Sequence, residues 1–474
     1  MNDLKQVAAN KAVNTLLTLV SRASDNDVER FLMLLERIVP DASGRELVCS
    51  VKQQWHDDTA FAQLIKRLLH EVNPRCRERF VADFILNNAW GAPAARRHAF
   101  QDQYGFGPPL TILISPTMRC NLKCSGCYAS EYSRQEDLSY EVIDRVLNEA
   151  KEMGIYFVTV LGGEPFVRDD LWKLYAAHSD VYFQPFTNGT LLDQTAVDRL
   201  ATLGNVIPMI SIEGFEADTD ARRGPGTYRK LIGAMDRLHD AGVPFGFSSM
   251  VTRHNVDTIV SDAFNDLMIA RGALVGWHFL YMPVGRNVDV DLMPTPAQRD
   301  QLRREGAARL RATRPIFVAD FWNDAPHVGG CIAGGRNYLH INSQGGVEPC
   351  IFTHFAVDNI KEKSLSECLR SPFFAAIRRR QPFNENLLRP CMLIDNPEVF
   401  REVYAECEPT PTHPGAMSLL GEFSQKIDEY AQSVGPVMDA AWQQDFVAKE
   451  GCLSPAPEAE LDADSVASLS RLVV

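Results

Sequence analysis

The 474-residue sequence has no long apolar run and too little positive charge for a general affinity for polyanions. A membrane-spanning helix needs ~18 or more consecutive apolar residues, and no stretch reaches that length. Lys and Arg number 48 against 61 Asp and Glu, so the formal net charge is −13. This balance argues against broad contact with nucleic-acid backbones or anionic membranes. The N-terminus lacks the basic-then-apolar order of a signal peptide, so we expect a cytoplasmic protein.

The sequence also lacks the short motifs of common hydrolases and nucleotide-binding enzymes. It contains no Ser-His-Asp order, no HExxH motif and no P-loop, and its 11 histidines form no metal-spaced pair. We expect lone histidines such as His278 and His413 to be satisfied surface or core residues. Cysteine, in contrast, occurs 11 times. Because disulfides are rare in a reducing compartment, clustered thiols indicate metal-binding or catalytic sites.

Chain length and hydrophobic periodicity predict several domains. At roughly 100–200 residues per domain, this length suggests two to four domains. Residues 1–107 carry apolar residues at helical spacing, as in the run from Phe61 to Val72, and predict a helical N-terminal region. The glycines and prolines between Tyr104 and Pro109 then mark a boundary.

Residues 108–313 alternate β-rich runs with amphipathic helices, which predicts an α/β fold. Six strand–helix units imply a parallel sheet, open or curled, and we expect a partial (β/α)6 TIM-like barrel. Functional loops gather at the carboxyl ends of such strands, so we expect the site there. The predicted strands are 110–115, 155–161, 181–186, 206–212, 244–251 and 274–281, and the helices between them lie near 139–153, 169–178, 192–203, 226–242 and 255–270.

The strand–helix rhythm is lost beyond the barrel region. Residues 314–415 are predicted to form an α+β extension with a hairpin of Tyr338–Ile341 and Val347–Cys350, followed by a helix near 364–380. Residues 416–474 are predicted to be a helical C-terminus that ends in a loosely ordered acidic tail.

Three cysteines, Cys120, Cys124 and Cys127, lie close together directly after the first predicted barrel strand. A loop this tight can direct three thiolates at one centre, and soft thiolates select zinc, copper(I) or iron–sulfur clusters. Structural zinc sites use four ligands, typically in closely spaced pairs, and no fourth Cys or His is near in sequence. The triplet therefore favours a [4Fe–4S] cluster with one open iron over zinc, which stays the alternative.

The Cys-x3-Cys-x2-Cys loop after a first barrel strand resembles the radical S-adenosylmethionine (radical SAM) superfamily, and further motifs follow in order between residues 108 and 290. The resemblance implies a [4Fe–4S] cluster on the three cysteines, with S-adenosylmethionine (SAM) at its open iron. The segment Gly162, Gly163, Glu164 and Pro165 matches the family segment that holds the SAM amino group, where glycines let backbone approach a ligand.

Further motifs at the ends of the third and fourth strands extend the resemblance. Thr187 and Asn188 match a segment that lies beside SAM. Ser211 and Glu213 suit the ribose hydroxyls, although the family commonly has Asp at the position of Glu213. Arg223 matches an arginine that pairs with the SAM carboxylate, as bidentate guanidinium–carboxylate geometry favours.

One position departs from the family pattern. Relatives have an aromatic residue just before the third cysteine, where it packs on the adenine. This sequence has Gly126 there and an aromatic residue, Tyr128, two positions later. We therefore expect either Tyr128 or another apolar group to cover the adenine.

A second group of cysteines resembles the SPASM and twitch extensions of radical SAM enzymes, which carry auxiliary iron–sulfur clusters. Cys331 precedes the predicted hairpin and Cys350 ends it, in the sequence Gly-Gly-Val-Glu-Pro-Cys. Cys391 and Cys407 could complete four ligands. The dense cysteine run of full SPASM domains is missing, so we predict one auxiliary [4Fe–4S] cluster. Cys368 lies on an apparent amphipathic helix and is predicted to be a packing residue.

The resemblance implies an enzyme that cleaves SAM reductively and abstracts hydrogen from its substrate. We expect a peptide or small-metabolite substrate and an electron donor such as a flavodoxin or ferredoxin. The alternatives are a zinc-stabilised, non-catalytic scaffold, or radical chemistry on a lipid or a nucleic acid; the acidic charge makes nucleic acid the less favoured substrate.

Overall fold

The computed structural model describes residues 25–38, 42–87 and 92–448. Within these ranges a 10-stranded, mostly parallel sheet is packed against helices. None of the helices in these ranges is both long and apolar enough to cross a membrane. The predicted acidic tail lies outside the described residues.

Parallel strands in chain order form most of the main sheet. The strands of the structure are β1 (Thr111–Ile114), β2 (Phe157–Val160), β3 (Tyr182–Thr187), β4 (Met209–Ser211), β5 (Gly246–Val251), β6 (Val275–Leu280), β7 (Phe317–Asp320), β8 (Tyr338–Ile341), β9 (Gly346–Glu348), β10 (Phe355–Ala356), β11 (Asp358–Asn359) and β12 (Thr410–Pro411). β1 to β7 lie side by side, and β8 pairs in parallel with the free edge of β1. β9 and β11 extend this edge in antiparallel pairing, whereas β10 and β12 form a separate small sheet.

Helices connect the strands and cover the sheet. They are Asp25–Ile38, Ala42–His56, Ala60–Glu71, Pro74–Arg79, Ala92–Tyr104, Tyr140–Glu152, Asp170–Ala177, Gln194–Leu203, Glu216–Arg223, Thr227–Asp240, Val256–Val260, Asp262–Ala270, Pro296–Gln301, Arg309–Thr313, Ala325–Val328, Leu365–Leu369, Pro372–Arg378, Pro397–Cys407 and Ser424–Trp442. Shorter 3-10 and π-helical turns occupy Phe80–Leu86, Pro165–Val167, Val290–Leu292, Leu302–Ala308, Pro414–Leu419 and Gln443–Val447.

Local sequence explains these helices. In Thr227–Asp240 the buried side chains Leu231, Met235 and Leu238 recur at helical spacing and join the main core. Thr295 and Gln298 form a capping box, with each side chain bonded to the other residue's backbone. The apolar face sets what each helix covers, and the cap sets where it begins.

The predicted α/β barrel fold and the predicted hairpin are confirmed. In the hairpin, β8 and β9 pair with His340 opposite Glu348. The structure adds a seventh parallel strand, β7, which pairs with β6. Its four residues follow Pro315, in the stretch predicted to have lost the strand–helix rhythm. The helix predicted near 364–380 is two helices, because Ser371 is extended and Pro372 starts the second.

The N-terminal region closes the amino end of the barrel. In the π-helical turn, the Phe80 ring lies 5.7 Å from Tyr182 and the Phe84 ring lies 5.0 Å from Phe157, the first residues of β3 and β2. Arg67 donates hydrogen bonds of 2.9 Å to two carbonyls that precede β6 and β7. This part of the N-terminal region therefore serves as the floor of the barrel.

Aromatic side chains line one side of the barrel interior. Along β6, half-buried side chains alternate with buried ones, so Trp277 and Phe279 face inward. Phe321 packs 5.2 Å from Trp277, and Phe186 packs 5.7 Å from Phe279. We call Phe186, Trp277, Phe279 and Phe321 the aromatic wall. All four side chains are partly exposed, so the aromatic wall offers an apolar surface on this side of the barrel.

His278, on the other face of β6, is fully buried, and neither ring nitrogen has a partner within the described residues. Burial, helped by Arg311, lowers the pKa of His278 from 6.5 to about 3. The folded chain therefore keeps His278 neutral, whereas the unfolded chain protonates it below about pH 6.5. The free energy of unfolding must then fall as the pH is lowered through this range.

We predict that His278→Leu weakens this acid sensitivity. Melting temperatures at pH 7.5 and 5.5 should differ less in the variant than in the unsubstituted protein, by the equivalent of about 1.4 kcal/mol. The exposed His254 provides the control, and His254→Leu should keep the original difference. Equal acid sensitivity in all three proteins would contradict the prediction.

Candidate functional site: two groups of cysteine thiols

The cysteine loop (residues 115–128) follows β1 and rests on the carboxyl ends of neighbouring strands. Ser125 N donates to the Arg222 carbonyl at 3.0 Å, and Arg222 Nε donates back to the Ser125 carbonyl at 3.1 Å. Arg286 N donates to the Cys127 carbonyl at 3.1 Å. Segments that follow β4 and β6 therefore fix the loop that carries all three predicted ligands.

Gly162 and Gly163 lie directly under this loop. A Cβ atom at Gly162 would be 2.2 Å from the Thr117 carbonyl oxygen, and one at Gly163 would be 2.2 Å from that of Arg119. The backbone N–H groups of Gly163 and Glu164 donate to these same two carbonyls, both at 2.9 Å. The glycines thus admit the backbone of the cysteine loop itself, which is closer than any side chain allows.

Glu164 connects two of the predicted SAM-binding segments. Its buried carboxylate accepts hydrogen bonds from Thr187 Oγ1 (2.8 Å), Asn188 N (2.7 Å) and Phe166 N (3.1 Å). Burial raises the pKa of Glu164 to about 6, although these donors oppose the shift. Pro165 begins the short turn that follows. The Glu164 carboxylate therefore orders the strand ends, in addition to any role in ligand binding.

Asn188 reaches the first cysteine. Its side-chain amide donates to Asn121 Oδ1 at 2.8 Å and to Cys120 Sγ at 3.7 Å. Leu122 N also donates to Cys120 Sγ, at 3.4 Å. Two N–H groups therefore point at this sulfur, an arrangement that stabilises a thiolate.

Glu213 and Arg223 contact each other. Arg223 Nε donates to the buried Glu213 carboxylate at 2.9 Å, and Arg222 also pairs with it. Burial opposes the charge of Arg223, but Glu213 and the nearby Cys124 hold its pKa above the usual value. Ser211, at the end of β4, is half-buried and accepts from Ser248 Oγ at 3.4 Å.

The aromatic ring nearest Gly126 is that of Tyr281, which sequence reasoning did not assign. Gly126 has φ +64°, and a Cβ atom there would lie 3.1 Å from the Tyr281 ring. Tyr128 instead packs toward the C-terminal region, 5.7 Å from the Phe352 ring and 6.4 Å from the His354 ring. The place of the missing aromatic residue is thus filled from the segment after β6.

Three of the four predicted auxiliary cysteines come together around Tyr338. Cys331, Cys350 and Cys391 all act electrostatically on its hydroxyl, which donates to Cys350 Sγ at 3.0 Å. As at Cys120, the backbone N–H two residues after each cysteine donates to the sulfur of that cysteine. The N···S distance is 3.5 Å at Cys350 and 3.4 Å at Cys391. Burial raises the pKa of Cys331 to about 12, so binding of a metal there must release a proton.

Cys407 does not join this group. It ends the helix Pro397–Cys407, and its thiol points at the Pro372 carbonyl oxygen, 3.8 Å away. The structure therefore offers three thiols here, and Cys407 acts as a hydrogen-bond donor elsewhere. Cys368 is fully buried in the main core, which confirms its prediction as a packing residue.

A buried ion pair holds the loop of Cys391. Asp395 accepts from the Cys391 backbone N–H at 3.1 Å, and its other oxygen pairs with Arg299. Both charged side chains are almost completely buried. Because Arg299 lies on the helix Pro296–Gln301, this pair ties the third thiol of the group to the region after β6.

A buried polar chain links the cysteine loop region to the hairpin, and sequence spacing gave no sign of it. Ser115 Oγ contacts His340 Nε2 at 2.7 Å, and His340 Nδ1 contacts Glu348 at 2.6 Å. Tyr132 donates its hydroxyl to the same carboxylate at 2.7 Å. Ser115, His340 and Glu348 resemble a catalytic triad but are completely buried, so the chain acts as a brace.

His413 and His354 form a second buried connection beside this brace. Gly415 N donates to His413 Nδ1 at 3.1 Å, which leaves His413 Nε2 to donate to His354 Nδ1. His354 Nε2 then donates to the Ile351 carbonyl at 2.7 Å, one residue after Cys350. Burial lowers the pKa of both histidines, so they are neutral, as this chain of donors requires.

The donors in both groups are cysteine thiols, the ligands that iron–sulfur clusters use. Across residues 25–38, 42–87 and 92–448, no three His, Cys, Asp or Glu side chains converge closely enough to hold one metal ion. A cluster gives each thiolate its own iron, so its ligands stand farther apart than those of zinc. The repeated N–H···S contacts also favour thiolates. Each group supplies three cysteine side chains, which could hold a cluster with three cysteine ligands.

Comparisons with known proteins agree with these residues. The family model described as radical SAM superfamily matches residues 114–263, and the iron–sulfur cluster-binding SPASM model matches residues 331–392. A mycofactocin maturase of Mycobacterium ulcerans is 32% identical over 264 residues, which cover 53% of this chain and 71% of that protein. A PqqA peptide cyclase of Rhizobium meliloti is 29% identical over 55% of this chain and 73% of that protein.

Solved structures agree on the fold. Streptococcus suis SuiB bound to S-adenosylmethionine has a TM-score of 0.54 at 18% identity, covering 73% of this chain and 84% of that chain. SuiB bound to its precursor peptide SuiA also has a TM-score of 0.54, over 70% of this chain and 87% of that chain. Together the comparisons favour an enzyme over the zinc-stabilised scaffold.

We predict that Gly163→Ala displaces the cysteine loop, because its Cβ atom would overlap the Arg119 carbonyl. After anaerobic reconstitution, the variant should lose about four irons per chain, those of one [4Fe–4S] cluster. Gly107→Ala is the matched control, because its nearest neighbour would lie 3.9 Å away. Unchanged iron content in Gly163→Ala would show that the loop tolerates the methyl group.

We predict that Arg299→Met destabilises the protein through its effect on Asp395. Removal of one partner of a buried ion pair leaves an uncompensated charge, at a cost of about 3–5 kcal/mol. Adding Asp395→Asn removes that charge and keeps an acceptor for Cys391 N, so the double variant should melt at a higher temperature than Arg299→Met alone. A double variant as unstable as the single one would contradict this.

Proposed function

The chain belongs to the radical SAM superfamily and carries a SPASM domain, and from this premise we propose that it modifies a peptide by a radical reaction that consumes or recycles SAM. The observation that carries the proposal is the cysteine loop, which holds three thiols at the carboxyl ends of the strands of a barrel that also carries the partly exposed aromatic wall. When bound there, a [4Fe–4S] cluster and SAM supply a hydrogen-abstracting 5′-deoxyadenosyl radical.

Charge at the strand ends supports binding of SAM. Arg222 and Arg223 share the single carboxylate of Glu213, so the three side chains keep one net positive charge close to Cys124. A positive charge there suits the SAM carboxylate. In this arrangement Glu213 orients the guanidinium groups and leaves the ribose hydroxyls to the half-buried Ser211.

Other predicted contacts are proposed on the same geometry. Gly162 and Gly163 are partly exposed next to the cysteine loop, and their carbonyl groups would suit the SAM amino group. Tyr281 fills the space at Gly126 but is completely buried, so the partly exposed Tyr128 stays the residue proposed to pack on the adenine. The barrel floor and the buried side chains around Glu164 keep water away from the radical.

A peptide is the substrate that the relatives favour. The mycofactocin maturase and the PqqA peptide cyclase share sequence with this chain over most of their own lengths. A small metabolite is the second candidate, because an AdoMet-dependent heme synthase of Methanosarcina barkeri is 25% identical over 91% of that protein. The partly exposed aromatic wall offers either substrate an apolar contact surface.

The exposed side of the cysteine loop supports our proposal that an electron donor such as a flavodoxin or ferredoxin reduces the cluster. Asn121, Lys123 and Ser125 are exposed between the three ligand positions. An electron-donor protein can therefore approach the exposed side of the cysteine loop directly from solvent. The cysteines in the described part of the chain are free thiols, which supports our proposal of the reducing cytoplasm.

The proposal is tested by anaerobic reconstitution followed by addition of dithionite and SAM. We expect about eight irons per chain, from two [4Fe–4S] clusters, and formation of 5′-deoxyadenosine. Cys124→Ser should abolish 5′-deoxyadenosine formation, whereas Cys331→Ser should lose about four irons and still cleave SAM. A fully iron-loaded protein that forms no 5′-deoxyadenosine would overturn the proposed function.

A further inference from the structure

Tyr338 contacts both the second group of thiols and the aromatic wall. It is the first residue of β8, where it pairs with Thr111 of β1. Its side chain is buried and belongs to a small apolar cluster with Leu113 and Leu161, on strands of the barrel. Its position is therefore fixed by the main sheet and not by the loops that carry the thiols.

The hydroxyl end of Tyr338 lies among the thiols. It donates to Cys350 Sγ at 3.0 Å, shorter than the 3.5 Å contact from Phe352 N to the same sulfur. Cys331 and Cys391 also lie close enough to act on the hydroxyl electrostatically. Cys350 Sγ thus accepts one hydrogen bond from a side chain and one from a backbone N–H. Cys120 and Cys391 each accept a backbone hydrogen bond of the same kind.

The ring of Tyr338 reaches the other environment. It packs 6.2 Å from the Phe321 ring, edge to face. Phe321 in turn lies 5.2 Å from Trp277 and 5.3 Å from Phe279, both of which are partly exposed. A chain of contacting rings therefore runs from the sulfur of Cys350 to the surface on which we place the substrate.

We propose that Tyr338 is a positioning residue that holds Cys350 and raises the reduction potential of the auxiliary cluster at Cys331, Cys350 and Cys391. The inference rests on the proposed function only in that it requires this cluster. A hydrogen bond to a ligating thiolate stabilises the reduced, more negatively charged cluster more than the oxidised one. Because β8 holds the tyrosine, the barrel sets this property of the C-terminal region.

The test measures the reduction potential of the auxiliary cluster alone. In the full-length chain, Cys120→Ala, Cys124→Ala and Cys127→Ala remove the other cluster, so the electron paramagnetic resonance signal of the reduced protein belongs to the auxiliary one. Redox titration of this protein is then compared with the same protein carrying Tyr338→Phe, which keeps the ring against Phe321 and removes only the hydroxyl.

Tyr175→Phe is the matched control. Tyr175 is also buried, its ring packs 4.8 Å from Phe183, and its hydroxyl has no hydrogen-bond partner in the described part of the chain. Incorporation of 3-fluorotyrosine at position 338 gives a second measurement, since its more acidic hydroxyl donates a stronger hydrogen bond.

We expect a more negative midpoint potential in Tyr338→Phe, a less negative one with 3-fluorotyrosine, and no change in Tyr175→Phe. If Tyr338→Phe does not retain its iron, the 3-fluorotyrosine protein decides alone. An unchanged potential with about four irons retained would overturn the inference. The titration uses neither SAM nor substrate. The expected potentials, together with a failure of the unsubstituted, fully iron-loaded protein to form 5′-deoxyadenosine, would therefore overturn only the proposed function.

Discussion

The close approach between the cysteine loop and Gly162–Gly163 is the contact on which the site depends. Two carbonyls of the loop lie where any Cβ atom would stand, and both accept backbone hydrogen bonds from the segment beneath. A backbone held against a backbone has little freedom to move, because close packing leaves no space for adjustment. The glycines therefore place Cys120 relative to β2 and β3, and the contacts of Asn188 and Glu164 follow from that placement.

Buried charge is the second feature that orders the molecule. Glu213 is neutralised by two arginines at the strand ends, and Asp395 by Arg299 beside the second group of thiols. Such pairs add little net stability, because desolvation of both partners offsets their attraction. Their effect is to fix the relative positions of the paired residues. Because a buried charge that loses its partner is costly, the folded chain keeps the partners together. At Glu213 this fixes a net positive charge near the cysteines, and at Asp395 it fixes the loop of Cys391.

The barrel and the C-terminal region share one sheet, so the two groups of thiols share one scaffold. β8 pairs with β1, the strand that leads into the cysteine loop. The buried chain through His340 and Glu348 then joins residues near both groups, because Tyr132 follows Cys127 by a few residues and Glu348 precedes Cys350. Movement of either group relative to the other would break several buried hydrogen bonds. The auxiliary region is thus a continuation of the barrel and not an appended module.

The sequence by itself determined the features that depend on residues close together in the chain. Hydrophobic period predicted six parallel strands and turn chemistry predicted the β8–β9 hairpin. Cysteine spacing also located the first group of thiols, whose role as cluster ligands stays a prediction. β7 lies where the strand–helix rhythm is lost along the chain, so only its pairing with β6 identifies it as a strand of the sheet. Motif matching also named the residues that surround the site.

Only the tertiary structure decided which of those residues touch. It paired Glu213 with Arg223, turned Tyr128 toward Phe352, filled the space at Gly126 with Tyr281 and left Cys407 apart from the other thiols. The physical reason is common to all four cases. A motif fixes where a residue lies along the chain, whereas the direction of its side chain is set by buried partners that come from distant strands and loops.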